Sequence, residues 1–515
     1  MPFIDARELP RDSEITSDLM IIGAGMAGLA LAREWARSGF KVALLESGDR
    51  AFDPEVQELY RGESMMRAPD NADKLFDSYA YDSRRRMLGG SGNVWGGKCV
   101  ALDPADFEER DWIPDSGWPV TRQSLAPYYD RACDLLEIPR FGEGETSPKW
   151  QDRPVLRISD EERLFSAPRY FTKYSGVNDA PAFDRWRTYP ANSENVTIYL
   201  NANVTELKLN PDKRALKELS VGCLNGRRHT AKAKVYVLAT GGIENARLLL
   251  ASSSVDPAGV GNGADLVGRY FQGHNTYAAQ ELKQGNTSGI CLTRADQNMS
   301  AYIMTARNQP QCVFAPKLAD QRARKSGNFT VTLGAAPAGR AHDPERAALF
   351  QLAGRVDGEA PEAPAARDIG CFFMTEHFPN PESRVTLGTT SDALGMPRVR
   401  VEWAMSSADW ESFESAIATF AQSLGEAGIG RLIFPASRSE YLKLSSSSRH
   451  HMGTTRMNRD PAKGVVDENS RVHGVSNLYV AGSSVFPTSG IGNPTLTLLA
   501  MTHRLSDHIK QEIRA

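Results

Sequence analysis

The segment Gly23-Ala-Gly25-Met-Ala-Gly28 constrains this chain more than any other. It lies between a short apolar run, Leu19–Ile22, and the stretch Ala27–Arg37, whose apolar residues recur at helical spacing. A second apolar run, Val42–Leu45, ends at Glu46, 18 residues beyond Gly28. Strand, glycine turn, helix, strand and acid in that order form the opening βαβ unit of a dinucleotide-binding fold. Gly23 permits the tight turn, Gly25 lets the backbone meet a pyrophosphate at the helix N-terminus, and Gly28 allows close packing of helix on strand. Glu46 accepts hydrogen bonds from ribose hydroxyls, which fits FAD or NAD better than NADP and leaves those two open.

At 515 residues the chain is long enough for two to four domains, taking roughly 150 residues for each. Lys and Arg number 60 against 63 Asp and Glu, a formal charge of −3, so no basic footprint for nucleic acid is expected. The longest mostly apolar stretch, Leu19–Ala32, is shorter than the ~20 residues a membrane span needs and is interrupted by glycines. Met1–Asp18 is acidic, with no basic segment ahead of an apolar one and no twin-arginine pair, so the expected compartment is the cytoplasm, away from membranes. The six cysteines have no CxxC or CxxxC spacing and read as reduced structural thiols, and no clustered ligands point to a metal.

Along the chain, Asn195–Leu250 alternates short apolar strands (Val196–Leu200, Val204–Leu209, Ala215–Val221, Val235–Ala239) and ends in a helix near Ile243, a second piece of the nucleotide-binding layer. Between about Phe271 and Tyr441 longer alternating runs, such as Phe329–Leu333, Cys371–Thr375 and Arg398–Trp403, predict an antiparallel sheet and a separate domain. Ala335–Asp368, rich in Ala, Pro and Gly, reads as a mobile insertion, and Ser445–Ser448 as a linker. Strand Leu478–Ala481 and a final helix from Pro494 return to the first layer, which makes that domain discontinuous. Arg84-Arg-Arg86 reads as a solvated basic run, with assistance to a pyrophosphate as the alternative, and Glu376-His377 as either a lining of the substrate face or a sheet edge.

Four motifs, spread from end to end, resemble the glucose-methanol-choline (GMC) family of FAD-dependent oxidoreductases. Besides the glycine turn they are Leu88-Gly-Gly-Ser91-Gly-Asn93-Val-Trp95-Gly-Gly97, Val237-Leu-Ala-Thr240-Gly-Gly-Ile-Glu-Asn-Ala246, and the block Ser448–Met501. That block contains His450-His451-Met-Gly453, Asn477-Leu-Tyr-Val-Ala-Gly482-Ser-Ser484 and Pro487-Thr-Ser-Gly-Ile-Gly-Asn493-Pro494-Thr495. Within the family the chain looks most similar to the pyranose oxidases and bacterial C-glycoside 3-oxidases, which pair a His and an Asn at the positions of His450 and Asn493. Choline and sterol oxidases carry a similar pair. The resemblance implies an α/β fold, with a discontinuous Rossmann-like FAD-binding domain and a substrate-binding domain on a mainly antiparallel sheet. The expected division is 1–110, 195–270 and 441–515 for the FAD-binding domain, with 111–194 and 271–440 as cap and substrate-binding segments, the insertion at 335–368 among them.

The same resemblance implies a flavoenzyme that oxidises a secondary ring hydroxyl of a glucoside, C3 favoured and C2 next, C-glycosides included. His450 would take the hydroxyl proton while hydride passes to flavin N5, and Asn493 would orient the substrate oxygen and stabilise its developing charge. His451, its neighbour, is expected to be an ordinary core histidine. Asn493 before Pro494 is also a helix start, whose positive end would face the flavin. FAD contacts are expected from Gly23, Gly25, Met26, Gly28, Glu46, Gly90, Ser91, Asn93, Trp95, Val204, Gly482, Ser483, Asn493 and Thr495. Some pyranose oxidases attach FAD through a His just before a Trp. Val94 stands there, so the FAD is expected to be noncovalent. Dioxygen or a quinone would reoxidise it. The alternatives are a sterol or primary-alcohol oxidase of the same fold, a nicotinamide dehydrogenase that shares only the glycine turn, and a noncatalytic FAD-fold binding protein.

Overall fold

The computed structural model describes residues 3–68, 73–75, 78–140, 163–176, 181–277, 290–293, 311–335, 367–433 and 445–514. Most of the expected insertion at 335–368 therefore lies outside the described residues. Among the described residues there are three sheets, and the first has eight strands, gathered from three separated stretches of chain. At its centre Glu14–Ile22 runs parallel to Val42–Leu45 on one side and to Arg228–Leu238 on the other. Val196–Leu200 and Phe3–Asp5 extend it at one edge, and Leu478–Val480 adds in parallel beside Arg228–Leu238. Val42–Leu45 is buried along its whole length, as a parallel strand covered on both faces must be.

The second sheet has nine strands, and every pairing in it is antiparallel. Its centre is Phe329–Ala335 against Arg367–Glu376, and helix Ser407–Glu426 covers it through Trp410, Phe413 and Phe420. That helix starts at a capping box in which Ser406 and Asp409 satisfy each other's backbone amides. A third, four-stranded sheet joins Glu63–Arg67 to Pro397–Ala404, so two strands from the first hundred residues, Glu63–Arg67 and Lys74–Leu75, complete a sheet begun by the hairpin at 384–404. The α/β class with two unlike layers is as expected. Among the described residues no helix is long and apolar enough to cross a membrane.

Two local expectations need correction. Ser445–Ser447 is a strand, paired antiparallel with His274–Tyr277, because its backbone completes an open edge of the second sheet. Arg84 and Arg86 are buried rather than solvated. With Arg247 they surround Glu244, at 2.8 Å from Arg84 and 3.3 Å from each of the other two, and Arg247 reaches Asp392 at 2.7 Å. Burial opposes the charge on Glu244, yet Arg247, Arg84 and Arg86 hold its carboxyl down at about 2.

Candidate active site

A cleft of about 530 Å³ opens where the glycine turn, the glycine loop at 90–98, the strand end at Ala239–Gly242, the His450-His451 pair and the start of the last helix converge. Its first wall is backbone. Gly23 adopts φ +99°, and a Cβ there would come within 2.8 Å of the Ala239 carbonyl oxygen, so only glycine fits the turn. A Cβ on Gly28 would stand 1.9 Å from the Gly23 carbonyl oxygen, which fixes how closely helix Met26–Trp35 seats on the strand. Glu46 binds the turn directly: its carboxylate accepts from the Ala24 amide at 2.9 Å and the Gly48 amide at 2.8 Å. The turn and the glycine loop are joined by the Gly89 amide, which donates to the Ala24 carbonyl at 2.8 Å.

The opposite end is made of side chains. The His450 and His274 rings meet nearly at right angles, their Nδ1 atoms 2.8 Å apart. The other nitrogen of His274, Nε2, lies 3.0 Å from the Gly490 carbonyl oxygen, and Nε2 of His450 lies 3.4 Å from Asn493 Nδ2. Asn493 immediately precedes helix Pro494–Arg514. Burial depresses the pKa of His450 well below the ordinary imidazole value, and the nearby His274, His451, Arg169 and Lys98 push the same way. Burial likewise lowers His274 to about 4 and His451 to about 3. All three rings are therefore neutral at neutral pH.

The structure brings together most of the expected residues. Gly23, Gly25, Met26, Glu46, Gly90, Ser91, Trp95, Val204, Gly482, Ser483, Asn493, Thr495 and His450 all line the cleft. Gly28 sits behind the turn. Asn93 faces the glycine loop itself, donating to the Leu88 and Gly90 carbonyls at 3.0 and 2.8 Å and accepting from Arg187 at 3.0 Å. Its side chain thus braces the loop, and it is not among the residues that line the cleft.

Glu376 and His377 are wholly buried structural groups. Glu376 accepts two hydrogen bonds from Arg110, at 2.6 and 2.8 Å, while His377 Nε2 donates to the Ala404 carbonyl and its Nδ1 accepts from Trp403. Among the described residues no group of three or more His, Cys, Asp or Glu could hold a metal ion. Sequence reasoning missed His274, Lys98 and Arg449. The last two line the cleft, and burial brings the Lys98 ammonium down to about 8. His274 and Lys98 lie outside the four motifs, Lys98 directly after Gly97, whereas Arg449 stands inside the block Ser448–Met501, next to His450. His451, expected to be ordinary core, also lines the cleft.

The cleft fits a dinucleotide. Gly25 is the cap residue of helix Met26–Trp35, a Cβ on it would meet nothing nearer than 4.0 Å, and its amide end opens toward the cavity. The arginine cluster beneath holds three guanidiniums against two carboxylates, a surplus of positive charge suited to a diphosphate. At the far end Asn493 Oδ1 and His451 Nε2 are buried without a hydrogen-bond partner among the described residues, as polar atoms awaiting a ligand would be.

Fold and cleft together define a dinucleotide-binding protein with a histidine pair in its cleft. Comparison with known proteins agrees. Residues 21–52 match the model of an NAD(P)-binding Rossmann-like domain, and residues 379–502 match that of the GMC oxidoreductases. The chain is 27% identical over 551 aligned positions to 6'''-hydroxyparomomycin C oxidase of Streptomyces lividus, covering 98% of this chain and 93% of that protein. It is 32% identical to the C-glycoside 3-oxidase of Arthrobacter globiformis over 137 residues, 26% of this chain and 25% of that one. In fold it is similar to pyridoxine 4-oxidase from Mesorbium loti, with a TM-score of 0.59 at 20% identity, covering 96% of this chain and 99% of that one. Residues 379–502 thus carry a GMC oxidoreductase domain, and the chain is an FAD-dependent enzyme acting on alcohols.

Proposed function

We propose that this enzyme oxidises a secondary ring hydroxyl of a glucoside or related glycoside, C3 favoured, in the cytoplasm, with dioxygen or a quinone as final acceptor. The observation that carries the reading is the His450–Asn493 pair, 3.4 Å apart in a cleft that fits a dinucleotide. The turn at Gly23, Gly25 and Met26 would hold the pyrophosphate, Glu46 the ribose and Val204 the adenine. Gly90, Ser91, Trp95, Gly482, Ser483 and Thr495 would hold the flavin half. Val94, which also lines the cleft, offers no nucleophile, so the cofactor is held without a covalent bond. FAD, when bound, supplies the two-electron acceptor for the hydrogen on the carbinol carbon.

The rest is done by this chain. His450, kept neutral by burial, accepts the hydroxyl proton. The Asn493 amide donates to the same oxygen as negative charge grows on it, and fixes the carbon in place. Similarity to the C-glycoside 3-oxidase supports oxidation at C3, and it covers about a quarter of the chain. Full-length similarity to an oxidase named for a 6''' position favours a second reading, oxidation at an exocyclic hydroxyl.

Anaerobic addition of a glycoside panel to the purified yellow protein, followed by borodeuteride reduction of the products, separates the two. Bleaching with deuterium at C3 is expected. Deuterium at C6 would establish the second reading, and a flavin that no glycoside bleaches would overturn both. Acid precipitation should release the flavin into the supernatant.

A further inference from the structure

We infer that His274 is a positioning residue that fixes which ring nitrogen of His450 carries the proton. The inference rests on reading His450 as the base, and follows from three contacts in series. A carbonyl oxygen only accepts, so at 3.0 Å from Gly490 the Nε2 of His274 must be the protonated nitrogen. In a neutral ring the other nitrogen, Nδ1, is then a bare lone pair. It lies 2.8 Å from His450 Nδ1, a distance that requires one proton between them, and only His450 can supply it. His450 is thereby left with its lone pair on Nε2, the nitrogen turned toward Asn493. There the amide N–H of Asn493 faces the lone pair at 3.4 Å, whereas the flipped amide would set oxygen against it.

The backbone holds this relay in place. The His274 amide donates to Ser448 Oγ at 2.9 Å, and its carbonyl accepts from the Ser448 amide at 3.0 Å. The neighbouring Gln272 is bonded to the Ser489 amide at 2.9 Å and to the Pro487 carbonyl at 3.0 Å. One strand edge therefore grips both the His450 segment and the loop that leads to Asn493. The charged groups facing the pair are Arg169 and Lys98 around His450, and Glu376 and Arg169 around His274. His274 touches neither substrate nor cofactor in this account. It orders the base, as the partner of an imidazole does in other acid–base sites.

The test is nitrogen-15 NMR of the holoenzyme labelled at its nine histidines, with His450 assigned by its loss in His450→Gln. We expect His450 protonated at Nδ1 and His274 at Nε2. In His274→Leu, which removes the acceptor, His450 should become a mixture of tautomers and kcat should fall roughly tenfold or more with KM little changed. His274→Asn restores an acceptor near the Nδ1 position and should recover most of kcat and the single tautomer. His450 protonated at Nε2 in the wild type would overturn the inference, as would His274→Leu with unchanged tautomer and kcat. Should His274→Leu fail to fold, the wild-type spectrum and His274→Asn still decide. If His450→Gln instead keeps full substrate-driven reduction, the base reading fails while the tautomer assignment stands on the wild-type spectrum.

Discussion

The two ends of the cleft are built by opposite means. At the nucleotide end the working parts are backbone, with Gly23, Gly25 and Gly28 shaping a turn that Glu46 ties down through two amides, all within 26 residues. At the reaction end they are side chains drawn from three separate places, His274 on a strand paired on both sides, His450 beyond a short strand and Asn493 at a helix start. A site made of backbone needs the right φ and the absence of a Cβ, and it binds through fixed dipoles. A site made of imidazoles needs burial to keep them neutral and a chain of hydrogen bonds to orient them. On the proposed reading, binding falls to one end and proton transfer to the other, so lesions at the two ends should have separable effects.

After the loss of His450 itself, the largest of these effects should come from Asn493→Ala. Removing a donor aimed at developing negative charge is expected to lower the rate of substrate-driven flavin reduction by ~10²–10³ while flavin content stays near that of the wild type. Rapid-reaction absorbance and the flavin-to-protein ratio measure both. Equal loss of flavin and rate would merge the two ends. Gly28→Ala should do the reverse. Its Cβ has no room before the Gly23 carbonyl, and relieving the contact costs about 1–3 kcal/mol, so thermal stability and FAD affinity should both fall. The protein that retains FAD should still reduce it at close to the wild-type rate.

The smallest effect is in pH. His274 and His451 have folded pKa values of about 4 and about 3, below the 6.5 of an unfolded imidazole. Between those limits the unfolded chain binds more protons, so stability is full above pH 6.5 and drains away as pH falls through 4 and then 3. Urea midpoints across pH 3–7 should follow that slope. Replacing His274 by Asn should flatten the part between pH 6.5 and 4, whereas Gly28→Ala should shift the whole curve without changing its shape.

The same contrast explains what could be read from the chain. The parallel strands at Leu19–Ile22, Val42–Leu45 and Val196–Leu200 follow from local apolar runs, and the glycine turn carries its own spacing. His450 and Asn493 stood in recognisable motifs. His274 did not, because nothing around Gly273 distinguishes it, and its partner lies 176 residues away, brought near by antiparallel pairing. Arg84-Arg-Arg86 misled for the same reason. Three adjacent positive charges look solvated until the fold delivers Glu244, on a helix about 160 residues later. Asn93 illustrates the limit of a motif, which marked the loop correctly but not the direction in which the side chain turns.

The central claim is that His450 moves the proton while other residues hold the cofactor. Anaerobic stopped-flow reduction of His450→Ala, with its flavin content measured in the same preparation, tests it most directly. The account predicts a yellow protein with flavin near the wild-type ratio, reduced ~10²–10⁴ times more slowly by a glycoside that bleaches the wild type. A yellow His450→Ala protein reduced at the wild-type rate would contradict it.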